Sequence, residues 1–207
     1  MSTVTRALTL ADREPAIQLL MAAFAKDPVL TYLATGSDYL AILRCVFDAI
    51  LTYCQPHHQL WGAFTADHEE LIGVAAWIPP EADANDELIW LSAGLYRLPL
   101  LVDPQRWGSW LPFFGGFGHR IPKPCWSLQL LGVSPQFQRQ GVGSLLLQPA
   151  LKTSRQMGIP CHLETSTESA VHFYQRHGFW VADERPLLKG DLTDDRVRYW
   201  TMVRDYV

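Results

Sequence analysis

The twelve residues QFQRQGVGSLLL, Gln136 to Leu147, set two glycines two positions apart, between an apolar run and a helix-like run. Glycine lets the main chain take dihedrals closed to other residues and come close to a ligand. The consecutive amides from Arg139 to Ser144 are then expected to point outward at the start of a helix, where the macrodipole adds about half a positive charge. The chemistry such a nest suits is the grip of an anion, above all a diphosphate. The side chains of Gln138, Arg139 and Gln140 can add polar contacts. Two familiar phosphate loops do not fit. A nucleoside-triphosphate loop needs Gly-x-x-x-x-Gly-Lys-Ser/Thr, and Gly143 is followed here by Ser144 with no lysine. A dinucleotide loop needs a third glycine where Leu146 stands. On the glycines alone, a tight strand-to-helix turn without a ligand accounts for the loop equally well.

The flanking residues narrow the choice. LGVSPQFQRQGVGSLLL, followed by GIPCHLETSTESAVHFYQRHGF, resembles the acetyl-CoA-binding core of the Gcn5-related N-acetyltransferase (GNAT) family. Gln138, Gly141 and Gly143 match its Gln/Arg-x-x-Gly-x-Gly/Ala motif. Val133, Ser134 and Pro135 match the end of the strand before it, and Tyr174, Gly178 and Phe179 match the downstream Tyr-x-x-x-Gly-Phe. The likeness is strong from Trp126 to Val181 and patchy elsewhere. It implies an α/β fold with a mixed, mostly antiparallel sheet, splayed between its fourth and fifth strands and flanked by helices. It implies acetyl-CoA as co-substrate and direct transfer of the acetyl group to a primary amine. It also implies that Leu131, Gly132 and Val133 offer main-chain groups to the pantetheine arm, with an amide near Val133 polarising the thioester carbonyl. By the same likeness Gln138, Arg139, Gln140, Gly141, Val142, Gly143 and Ser144 hold the diphosphate, and Thr167, Ser169 and Tyr174 lie along the cofactor. The sequence departs from the family at Thr167, where many members have asparagine, and at Pro149, inside the long helix, where a kink is expected.

Acetyl transfer to an amine needs a neutral nucleophile and a leaving thiolate. A lysine-like amine has a pKa of about 10.4, so a base or water chain must take its proton. A cysteine-like thiol has a pKa of about 8.5, and a tyrosine near 10 can protonate it without first being ionised. The resemblance puts Tyr174 beside the departing sulfur as the general acid; a core tyrosine anchoring its short helix is the plainer reading. Glu164, closing the fifth strand near where the sheet is expected to part, is the candidate base, with Asp27 and Tyr32 as alternatives. A glutamate that merely bonds the next turn is its plainer reading. His162 shares the face of Glu164 by the period of two. His172 and Arg176 flank Tyr174 on a helix face expected to be solvated. His57 and His58 point apart, and no Cys/His spacing suits a metal, so no metal site is expected.

The elements that must position these groups follow from periodicity. TRALTL reads as a first strand. ADREPAIQLLMAAF reads as a helix with Asp12 as N-cap, KDPVLTYLATGS as punctuation, and Asp38 to Cys54 as a second helix. QLWGAFTA and ELIGVAAWIPP read as a hairpin, CWSLQLLGV as a buried strand, and the stretch from about Gly143 to Met157 as a long helix. CHLET is a strand, SAVHFYQRH a short helix ended by Gly178, and FWVADERPL and VRYWTMV a last pair joined by KGDLTDD. One domain over 1–207 is expected, with acceptor-site elements in 1–124, a helical insertion at about 84–118, and the coenzyme core in 125–207. The acceptor wall is expected to draw two or three residues from Phe24, Tyr32, Trp77, Trp90, Trp107 and Trp110.

Composition excludes other classes. Of 207 residues 48% are hydrophobic and 18% charged, with a net charge of −4 and no Lys/Arg block, so neither disorder nor nucleic-acid binding is expected. No apolar run reaches the length of a membrane span, and the N-terminus does not read as a signal peptide. Cys45, Cys54, Cys125 and Cys161 read as reduced core residues of a cytoplasmic protein. The expected partner is a small-molecule amine, and a homodimer is left open. A protein or peptide N-acetyltransferase and a non-catalytic acetyl-CoA sensor are the competing classes.

Overall fold

The computed structural model describes residues 2–34, 39–67, 69–82, 87–102, 123–186 and 198–206. Seven strands are found there: β1 (Thr3–Ala7), β2 (Leu60–Thr65), β3 (Leu71–Ile78), β4 (Trp126–Val133), β5 (Cys161–Thr165), β6 (Trp180–Pro186) and β7 (Arg198–Arg204). They form one sheet in the order β1-β2-β3-β4-β5-β7-β6, antiparallel throughout except between β4 and β5. The helices are α1 (Arg13–Ala23), α2 (Pro28–Leu33), α3 (Tyr39–Cys54), α4 (Glu87–Ser92), α5 (Val142–Met157) and α6 (Glu168–Gln175).

The alternation along β3 shows how the layers form. Val74, Ala76 and Ile78 join a front core with Leu20 of α1 and Leu43, Val46 and Phe47 of α3. Ala75 and Trp77 face the other way, into a back core with Leu146, Leu147 and Ala150 of α5, which Ile72, skipped in the pairing with β2, also joins. A strand covered on both faces carries an unbroken apolar run, which is why LIGVAAWI shows no polar alternation. Strand β4 carries an extra residue. Ala76 faces Leu130 and the next β3 residue, Trp77, faces Leu128, so Gln129 is bulged out of the ladder.

The sheet parts where expected. Strand β4 pairs with β5 only at Trp126↔Cys161, Ser127↔His162 and Leu128↔Leu163, although β4 continues to Val133 and β5 to Thr165.

Two local readings need correction. Asp12 stands at the N-cap of α1, but its side chain makes no capping bond to that helix. Its carboxylate accepts the Thr9 backbone N–H at 2.7 Å and pairs with both terminal nitrogens of Arg6 at 2.8 and 2.9 Å, locking the turn before the helix. The segment read as punctuation contains α2, whose N-cap Asp27 accepts the Leu30 N–H at 2.9 Å and whose first residue is Pro28. Asp-Pro supplies a capping carboxylate and a preset φ, so it starts a helix here rather than ending one. Helix α5 runs unbroken through Pro149. Of the region 84–118, α4 and a 3-10 turn at Leu95–Leu100 are described; Trp107, Trp110, Phe113, Phe114, Phe117 and the KGDLTDD turn lie outside the described residues. Among the described residues no helix is long and apolar enough to cross a membrane.

Candidate active site

Where β4 leaves β5, the main-chain groups of Gln129 to Val133 on the β5 side lose their strand partner, and a cleft of about 380 Å³ opens. One wall is β4 from Leu128 to Val133. The opposite wall is Glu164 to Thr167, Ser169 and Tyr174. Phe24, Asp27 and Leu30, with Val46, Phe47 and Ile50 of α3, close the third side. Leu131, Gly132 and Val133 therefore lie where an extended ligand could add itself as a strand.

The glycine loop is held mostly by its own bonds. The Ser134 N–H donates to the Ile72 carbonyl at 2.9 Å, tying the end of β4 to β3. Gln138 Nε2 donates to the Val133 carbonyl at 3.1 Å and Gln140 Nε2 to the Gln136 carbonyl at 2.9 Å. These two side-chain amides thus brace the loop. Arg139 and Gly141 take the left-handed region, at φ +62° and +86°. The first bond of α5 runs from the Leu145 N–H to the Gly141 carbonyl at 3.1 Å. The N–H groups of Val142, Gly143 and Ser144 consequently have no carbonyl within the helix to reach, and they stand at its positive end. A β-carbon placed on Gly141 has nothing within 4 Å, so the space before these donors is open. Donors of one sign facing open space fit a diphosphate, with the exposed Arg139 guanidinium beside them.

Helix α6 carries Tyr174. Thr167 caps it, its hydroxyl accepting the Ala170 N–H at 3.3 Å and lying 3.3 Å from the Ser169 hydroxyl. The Tyr174 ring packs edge-on against Phe173 and Phe179, at 5.1 and 5.8 Å between centroids, and the residue is only 7% exposed. It lines the cleft, and among the described residues its hydroxyl has no hydrogen-bond partner. Burial pushes this phenol well above its ordinary range, so it stays protonated.

Two carboxylates, Glu164 and Asp27, line the cleft. Glu164 accepts the Tyr199 hydroxyl at 3.1 Å, and that phenol is pushed far up by burial and by the neighbouring charge of Glu164. Asp27, besides capping α2, accepts the Ser166 hydroxyl at 2.7 Å, a bond that joins the α1–α2 loop to the β5–α6 loop. Burial raises the Asp27 pKa. Tyr32 is packed against the front core rather than placed on the cleft wall, and His172 and Arg176 are exposed.

The expected aromatic wall is largely redirected. Phe24 lines the cleft, but Trp77 is fully buried in the back core and Trp90 stacks on Tyr53 at 4.4 Å in the front core. Phe47 and Tyr199 take part in their place. Both lie at core-facing positions of their elements, and nothing local in the sequence separates a core ring from one at a cleft edge. His177, also unforeseen, bridges Ser144 and Phe173.

His162 lies beneath this floor, buried, with Nδ1 3.4 Å from the Ser127 hydroxyl and no partner at Nε2 among the described residues. Burial lowers its pKa to about 4 from 6.5. The unfolded chain takes up a proton below pH 6.5 that native His162 refuses until about pH 4. Stability from this group is therefore whole above pH 6.5 and drains away as pH falls toward 4, by about 3 kcal/mol in all. Urea unfolding at pH 7 and 4.5 should show the loss, and His162→Leu should show a clearly smaller one; equal losses in both proteins would assign the acid sensitivity to other groups.

The model of the acetyltransferase (GNAT) family matches residues 30–179. An uncharacterized N-acetyltransferase of Schizosaccharomyces pombe is 25% identical over 176 residues, covering 81% of this chain and 70% of that protein. The mycothiol acetyltransferase of Propionibacterium freudenreichii is 36% identical over 129 residues, covering 60% of this chain; the match spans 36% of that longer protein. Among solved structures, a histone acetyltransferase HPA2 and related acetyltransferase from Corynebacterium glutamicum superposes with a TM-score of 0.69 at 24% identity, over 99% of this chain and 97% of that one.

Proposed function

Because the chain belongs to the acetyltransferase (GNAT) family, and is thereby an acetyl-CoA-dependent N-acetyltransferase, we propose that its acceptor is a primary amine on a small molecule, with Glu164 receiving the amine's proton and Tyr174 serving the departing sulfur. Acetyl-CoA supplies an activated acyl group on a thiol leaving group. The N–H groups of Val142, Gly143 and Ser144 anchor the diphosphate, and the free edge of β4 orients the arm. A main-chain N–H of Leu131 to Val133 faces the carbonyl oxygen and stabilises the charge that develops there. Alignment of the two substrates in one cleft contributes alongside these groups.

The observation that carries the reading is the position of Tyr174, a buried residue on the wall of the cleft where β4 and β5 part, whose hydroxyl has no hydrogen-bond partner among the described residues. A phenol kept neutral by its surroundings cannot act as a base, and it can donate to a developing thiolate. A small acceptor is supported by the cleft itself. Its volume of about 380 Å³ suits a compact molecule, Phe24, Phe47 and Ile50 give it an apolar side, and Asp27 and Glu164 favour a group that arrives as an ammonium. The sequence also resembles puromycin N-acetyltransferase, which has counterparts of GVSP, QGVGS, LETS and FYQRHGF and, more loosely, of AAFAKDP and VAAWIPPE. An aminonucleoside therefore belongs among the first acceptors tried.

The test is free-thiol release from acetyl-CoA with puromycin, simple diamines and lysine peptides as acceptors. Release with a small amine is expected. Release with peptides alone would move the protein to the peptide-modifying class, and coenzyme binding with no release from any amine would make it a sensor.

A further inference from the structure

His177 sits just beyond α6, three residues past Tyr174. Its backbone N–H donates to the Tyr174 carbonyl at 2.9 Å, and the Phe179 N–H shares that carbonyl at 3.1 Å. This tightening of the last turn leaves the Phe173 carbonyl without its usual helical donor, and the His177 ring takes it up, with Nδ1 2.9 Å away. A carbonyl only accepts, so Nδ1 is the donor of that bond, and in the tautomer with its proton there Nε2 is an acceptor. The Ser144 hydroxyl, 2.9 Å from Nε2, donates to it. Ser144 lies in the first turn of α5. The ring also packs on Phe173 at 4.6 Å between centroids, and Phe173 occupies the space beside Gly143, where a β-carbon would come within 3.1 Å of it. From behind, Arg204 of β7 donates Nε–H to the His177 carbonyl at 3.0 Å.

One side chain thus ties the end of the helix that carries Tyr174 to the start of the helix whose N–H groups form the anion cradle. The co-substrate must touch both places at once, and its arm fixes the distance between diphosphate and sulfur. A shift of about 1 Å in a reacting group can cost about a hundredfold in rate. We propose that His177 is a positioning residue that sets the Tyr174 hydroxyl at the sulfur by clamping α6 to the first turn of α5 through Ser144. This rests on the reading of Tyr174 as the group at the sulfur and of the α5 N-terminus as the diphosphate site.

The probe is calorimetry with coenzyme A and desulfo-coenzyme A at pH 9.5, where a large share of the thiol is thiolate in solution and mimics the leaving group. A hydroxyl donated to an anion should make coenzyme A bind about tenfold tighter than the desulfo compound in the native protein. Tyr174→Phe should bring that ratio near one. His177→Asn, which can still cap Phe173 but is too short for Ser144, should lower the ratio to within about twofold of one, with desulfo-coenzyme A affinity changed less than about threefold, and Ser144→Ala should lower the ratio to the same extent. His177→Gln, long enough to accept from Ser144, should restore most of it. A native ratio in either His177→Asn or Ser144→Ala overturns the clamp. No preference for the thiol in the native protein would instead remove Tyr174 from the sulfur, and the clamp with it. Failure of the native protein to bind either compound would remove the diphosphate site.

Discussion

Tyr174→Phe should lower kcat by about a hundredfold to a thousandfold while leaving coenzyme A affinity at pH 7 within about threefold of native. The ring is the structural part of this residue: it meets Phe173 and Phe179 and is buried, and phenylalanine keeps all of that. The hydroxyl has no partner among the described residues, so its removal strands no buried donor or acceptor. Stability should therefore stay within about 0.5 kcal/mol, which separates the chemical role from a packing role. Burial raises the phenol, but it raises a leaving thiol in the same cleft as well, because both are neutral acids. Tyrosine remains the weaker acid of the two, so its main service is a hydrogen bond that strengthens as charge reaches sulfur, with the proton following. Steady-state kinetics with acetyl-CoA and the best amine from the acceptor screen, beside calorimetry with coenzyme A, decide the matter. A kcat within about threefold of native would leave Tyr174 a packing residue.

The residues that could be read in advance are those whose function is encoded locally. The two glycines of the loop and Gly178 at the end of α6 each act within a few positions, so spacing reveals them. The parting of β4 and β5 was implied by the family likeness alone, since no spacing in either strand announces where their pairing ends after Leu128 and Leu163. The rest depends on which groups meet after folding. His177 and Ser144 are 33 positions apart, and only the packing of α6 on α5 brings them to 2.9 Å. Gln138 and Gln140 looked free to meet a ligand, but each finds a nearby carbonyl of its own loop. Trp77 looked like a pocket aromatic; register on β3 sends it to the back core, whereas Phe47 on α3 reaches the cleft. Asp12 was a reasonable cap by position, but Arg6, six residues before it, competes for the same carboxylate and wins with two hydrogen bonds. In each case residue type set what a group could do, and tertiary partners selected among the options.

Gly141→Val should weaken acetyl-CoA binding by about tenfold to a hundredfold. The position has φ +86°, in the region where a β-branched residue is most strained, and a β-carbon there meets nothing within 4 Å. The demand for glycine is therefore conformational and not one of space. Valine leaves the loop two courses. It can hold the native dihedral at a cost of about 1–3 kcal/mol, or it can relax to negative φ and swing the N–H groups of Val142, Gly143 and Ser144 off the diphosphate. Hydrogen bonds to a charged group contribute about 1.5–3 kcal/mol each, so losing two of the three exceeds the strain of holding still; bound coenzyme therefore holds the loop at the native dihedral, and the strain sets the loss of affinity. Asparagine tolerates the left-handed region far better than valine. Gly141→Asn should accordingly keep affinity within about tenfold of native, although its side chain enters the same open space. Calorimetry with coenzyme A on the two variants separates the causes. Equal, large losses in both would mean that any side chain blocks the approach of the diphosphate, and native affinity in Gly141→Val would mean that the α5 N-terminus is not where the coenzyme is held.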